Sequence, residues 1–119
     1  MIAHVVSFTP RASLSGEERQ ALVDDLERAL EDIPEIRRAR IGRRRALGYA
    51  YDTVGPMHFE FIVVLEFDSE ADLRTYLQHP AHVALGRWFH HGAEVALAED
   101  FQLVDPPGLR ALVADYTKA

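Results

Sequence analysis

The chain has 119 residues, 48% of them hydrophobic and 27% charged, with a formal net charge of -6 and no cysteine. That is enough sequence for one domain with a modest core, and the acidic balance works against general binding to nucleic acid or to an anionic membrane, both of which need a positive field. Without cysteine there is no disulfide framework, no thiolate nucleophile and no thiolate-ligated metal site.

Residues 2–8 (IAHVVSF) are short, rich in β-branched side chains and closed by Thr9-Pro10, which predicts a strand. The leading MIAHVVSFTPR has no basic region before its apolar stretch and no small-residue cleavage site, and no apolar run approaches the roughly 20 residues of a membrane helix. The expected location is the cytoplasm. Ser15 and Glu18 have capping-box spacing, and Leu22, Leu26, Leu30 and Ile33 follow at helical steps until Pro34. Residues 35–45 (EIRRARIGRRR) read as an edge strand. They hold six of the 13 cationic residues, Arg37, Arg38, Arg40, Arg43, Arg44 and Arg45. Two readings of this segment stay open: a solvated edge that blocks aggregation, or a rim that recognises an anion or an acidic partner.

Residues 46–57 carry Gly48, Gly55 and Pro56 and predict a loop. Residues 58–67 (HFEFIVVLEF) give the clearest strand, with Phe61, Val63, Leu65 and Phe67 on one face and Ile62, Val64 and Glu66 on the other. Ser69 and Asp72 start a second helix with Leu73, Tyr76 and Leu77 on its buried side. His79-Pro80 breaks it, and Pro80 suits the first position of a further short helix bearing His82, Leu85, Trp88 and Phe89. Residues 95–104 predict the last strand, and residues 105–119 a tail with one or two helical turns.

The order β-α-β-β-α-(α)-β is the split βαβ arrangement of the ferredoxin-like fold. It predicts an α+β domain over residues 1–104 with a four-stranded antiparallel sheet and helices on one face. The other face keeps Ile62 and Val64, so a second copy closing over it is expected, with a chamber between the two sheets.

The segments MIAHVVSF, FIVVLEFDSEADL, YLQHPAHVAL and ALAEDFQLV resemble the stress-responsive α/β-barrel (Dabb) family, HPAH being the most specific of them. The resemblance implies a homodimer whose paired sheets form a barrel. It is also similar to the site of a cofactor-free plant polyketide cyclase of this type, which works with a tyrosine and a histidine. By motif these fall on Tyr76 and His82, with His4 matching a histidine on the first strand. Phe61 stands where that cyclase has a further pocket histidine.

The resemblance therefore implies catalytic roles for His82 and Tyr76 in aldol or Claisen closure or in enolisation. The implied ligand is a small hydrophobic carbonyl compound, with no cofactor and no metal. His4, His79, Phe61, Ile62, Val64 and Trp88 are the candidate substrate-binding residues. His82 in a helix's first turn would be held neutral by the local positive field, and so act as a base. The alternative is a non-catalytic stress-responsive binding or structural protein, with HPAH serving as a helix joint. A haem- or quinone-handling monooxygenase is a third class, without an evident haem ligand here. No HExxH-like spacing recruits His90 and His91 to a metal.

Overall fold

A computed structural model describes residues 1–55, 57–114 and 116. The strands are β1 (Ile2–Pro10), β2 (Arg38–Arg43), β3 (Phe61–Phe67) and β4 (Ala93–Gln102). They form one antiparallel sheet in the order β2-β3-β1-β4. The helices are α1 (Gly16–Asp32), α2 (Glu70–Gln78), α3 (Pro80–Arg87) and α4 (Leu109–Ala114). A single π-helical turn, Trp88–Gly92, joins α3 to β4. The ferredoxin-like α+β reading of the sequence holds.

Local chemistry sets the helix ends. Ser15 Oγ accepts the Glu18 amide at 3.1 Å, and Glu18 Oε1 accepts the Ser15 amide at 2.9 Å, so two orphan donors at the start of α1 are satisfied together. Ser69 caps α2 by accepting the Asp72 amide at 3.2 Å. Between α2 and α3, His79 has extended backbone and its Nδ1 accepts the Ala81 amide at 3.0 Å. Pro80 follows at a position that needs no amide hydrogen. The HPAH joint is thus a helix stop and a helix start within two residues.

Register decides what each sheet face carries. Ile2 lies opposite Phe67, His4 opposite Leu65, Val6 opposite Val63 and Phe8 opposite Phe61. This set faces the helices and makes the core with Ile33, Ala29, Leu73 and Tyr76. The residues between them, Val5, Ile62, Val64, Leu97 and Phe101, fall on the open face, as do Arg38, Arg40, Glu66 and Glu99. Ile62, Leu97 and Phe101 are all exposed. Beyond β4, α4 presents Leu109, Leu112 and Val113 to solvent. Among the described residues no helix is long and apolar enough to cross a membrane.

Candidate functional site

A cavity of about 280 Å³ lies between the sheet and the helices of a single copy. Val6, Phe8, Val63 and Leu65 form its floor, Leu22 and Leu26 of α1 one wall, and Leu77, Leu85, Trp88 and Phe89 the roof. Polar side chains interrupt this apolar lining at His4, Tyr76 and His82, which cluster together, and at His90 next to Phe89. The break at Pro80 is what lets residues six apart share a site. The rings of Tyr76 and His82 are 4.7 Å apart, centroid to centroid, and those of His4 and Tyr76 5.7 Å.

Hydrogen bonding fixes the tautomer of both histidines. His82 Nδ1 lies 3.0 Å from the Leu77 carbonyl oxygen, which can only accept, so Nδ1 carries the hydrogen. His4 Nδ1 lies 2.6 Å from Asp100 Oδ1, across the β1–β4 pair, and donates to that carboxylate. Each imidazole therefore keeps Nε2 as its free nitrogen. Among the described residues no hydrogen bond engages either Nε2 or the Tyr76 hydroxyl, and no fully buried side-chain polar atom lacks a partner. These three atoms accordingly open onto the cavity.

The surroundings push the two titrating groups in useful directions. Burial lowers the His82 pKa below the ordinary 6.5; the hydrogen bond to the Leu77 carbonyl opposes this and the nearby His4 adds to it. Loss of solvent, rather than the helix terminus, is the main cause of this lowering. Tyr76, 2% exposed, is pushed up to about 12 by burial and stays a phenol at any physiological pH. The arrangement is one neutral base, one neutral hydroxyl donor and a second imidazole braced by a carboxylate, in a mainly apolar chamber that His90 also lines.

Of the residues nominated from sequence, the structure brings together His4, Tyr76, His82 and Trp88, and not the other four. Ile62 and Val64 point to the open face, because strand alternation sends them opposite Val63 and Leu65. Phe61 stacks on Phe8 at 5.6 Å but does not line the cavity. His79 is occupied with capping α3 and stays outside it. A single copy already holds a cavity between its sheet and helices, on the side of the sheet away from Ile62 and Val64. Asp100 was missed as a site residue. The sequence holds it in ALAEDFQLV, but only the β1–β4 register reveals that it meets His4. Among the described residues no group of three His, Asp or Glu side chains could hold a metal ion.

A split βαβ sheet with an apolar chamber under its helices defines a ferredoxin-like α+β domain. The chain belongs to the stress-responsive A/B barrel domain family, Dabb, whose model matches residues 2–103. Similar solved structures include a hydroxynitrile lyase from Passiflora edulis, 16% identical, with 87% of this chain and 94% of that one covered and a TM-score of 0.72. A Dabb family protein from Mesorhizobium loti is 23% identical over 87% of this chain and 97% of that one, with a TM-score of 0.66. A dimeric ferredoxin-like protein of unknown function from Thermobifida fusca is 22% identical over 86% and 90%, also with a TM-score of 0.66. No curated protein sequence matches the chain.

Proposed function

We propose that this chain is a cofactor-free acid–base enzyme acting on a small carbonyl compound with an apolar body. His82 Nε2 removes a proton from the carbon next to the carbonyl, and the Tyr76 hydroxyl donates to the oxygen as it becomes an enolate. His4, oriented by Asp100, holds the carbonyl end of the ligand. The enolate carbon then bonds to a second carbonyl of the same molecule: in an aldol closure the new alkoxide takes back the proton held on His82, in a Claisen closure the ester or thioester leaving group departs with it, and without closure the proton returns to carbon. The observation that carries this reading is the convergence of His4, Tyr76 and His82, with both Nδ1 atoms tied off, in a mainly apolar cavity. That a fold neighbour is a hydroxynitrile lyase is consistent with lyase chemistry on this scaffold.

The working unit in this reading is a homodimer. The open face with Ile62, Leu97 and Phe101 favours it, as does the dimeric state in the description of the Thermobifida neighbour. The two sheet edges also differ in charge: β2 carries Arg38, Arg40 and Arg43, and β4 carries Glu94, Glu99 and Asp100. A two-fold pair can set one edge against the other twice.

The test needs no knowledge of the natural substrate. Deuterium exchange at the α-carbon of 2-heptanone is followed by NMR with and without protein. Enhanced exchange that is lost in both His82→Gln and Tyr76→Phe is the expected result. Binding of the ketone without enhanced exchange would leave the non-catalytic binding protein as the function.

A further inference from the structure

His4, Tyr76 and His82 stand within ring-contact distance of one another in the cavity. β1 contributes to the floor of the cavity and α3 to its roof, with His4 and His82 near their starts. Phe8, Trp88 and Phe89, with His90 against Phe89, lie toward the other end, where the Arg11 amide donates to the Gly92 carbonyl at 2.8 Å. Four strand residues from His4 to Phe8, or seven helical residues from His82 to Phe89, both come to roughly 10–13 Å. A ligand with its carbonyl at the histidines thus directs an apolar tail at Trp88.

Trp88 lines the cavity. Beyond it lies a second hollow at the surface, lined by Ser15, Glu18, Ala21, Arg87 and His91, and Trp88 is the residue that borders both spaces. The ring is fixed from two sides. Its Nε1 donates to Asp25 Oδ2 at 2.9 Å, and its six-membered ring lies against Gly92, where an added Cβ would come within 2.5 Å of Cε3. Asp25 is 8% exposed on α1 and also accepts from Arg87 at 3.1 Å. A buried carboxylate is costly unless paired. Leu22 and Leu26, beside it on the same helix, show that apolar side chains suit this wall. The carboxylate does something they cannot: it sets the rotation of the indole.

We propose that Trp88 is the end wall that limits the length of the ligand, a carbonyl compound with a straight apolar tail, and that Asp25 is the positioning residue that holds the wall in place. This rests on reading the cavity as a ligand site, and it adds a selectivity that the acid–base groups do not supply.

The experiment titrates the whole protein and its variants with straight-chain methyl ketones of increasing length. Calorimetry follows all proteins, and the emission of Trp88, the single tryptophan, gives a second signal in those that keep it. For the wild type, affinity rises about fourfold per methylene and then breaks off at one length. In Trp88→Ala the break moves to longer ketones, because cavity and surface hollow become one. Trp88→Leu, which keeps an apolar filler should the alanine variant not fold, moves it the same way. Asp25→Ala blurs the break, and Asp25→Asn, which still accepts the indole hydrogen, restores it.

A break at the wild-type length in the folded Trp88 variants overturns the end wall. A sharp, unshifted break in Asp25→Ala overturns the positioning role. Failure of every ketone to bind the wild type overturns the ligand-site reading itself and this inference with it. That outcome differs visibly from ketones that bind with no dependence on Trp88.

Discussion

On β3, Leu65 is 1% exposed beneath the helices, whereas Ile62, three residues earlier, is 39% exposed on the opposite face. The backbone and strand pairing are the same for both, and the surroundings differ. The helix side wraps His4, Tyr76 and His82 in Leu, Val and Phe, where loss of water keeps His82 uncharged and Tyr76 protonated. The open side mixes Val5, Val64, Leu97 and Phe101 with Arg38, Arg40, Glu66 and Glu99. Arg38 and Glu66 there stand 3.9 Å apart, both partly in solvent. A sheet with apolar residues on both faces can therefore divide its work. The covered face desolvates reactive groups, and the open face presents a mixed surface suited to another copy of the chain.

Substitutions on either side break or sharpen this division. The largest effect is expected at the base: His82→Gln lowers α-proton exchange of a bound ketone by about 10²–10⁴-fold, the usual contribution of a positioned proton acceptor. The open-face change Leu97→Asp leaves that exchange intact in the ligand-saturated protein and shifts sedimentation toward a single copy. Equal loss of exchange in both variants would erase the distinction between the faces.

Next in size is the floor of the chamber. Leu65→Ala costs about 2–5 kcal/mol in denaturant unfolding, because a buried leucine leaves a cavity that the sheet cannot fill, while Ile62→Ala costs much less. The pH profile has a definite sign. Since neutral His82 is the active form and burial lowers its pKa, exchange rises with pH through a point below 6.5 and is level at neutral pH. In ultraviolet titration one of the four tyrosines ionises near 12, and Tyr76→Phe removes that step. The smallest effect lies at the start of α1: Ser15→Ala removes one half of the capping box and costs about 1 kcal/mol, read as a lowered unfolding midpoint.

The element order and the caps were legible in the sequence because they depend on neighbours a few residues apart. Ser15 with Glu18, Ser69 with Asp72, and His79-Pro80 all state their geometry locally, and the last also explains how Tyr76 and His82 can meet. The location of the chamber was not legible. Alternation in FIVVLEF put Ile62 and Val64 on the open face, as the structure does, but the period says nothing of a cavity left between the other face and the helices. Partners distant in sequence were hidden for the same reason. His4 and Asp100 are 96 positions apart, and Asp25 and Trp88 are 63 apart. Each pair exists only once strand register and the α1–α3 packing are set.

The most direct test of the central claim follows nitrogen and amide signals of labelled protein during titration with 2-heptanone. The account predicts that His4 and His82 are both Nδ1-protonated tautomers and that their Nε2 signals move on binding, together with Val6, Leu65 and Tyr76. Signals that move instead at Val5, Val64, Leu97 and Phe101, with both imidazoles undisturbed, would place the ligand on the open face and contradict it.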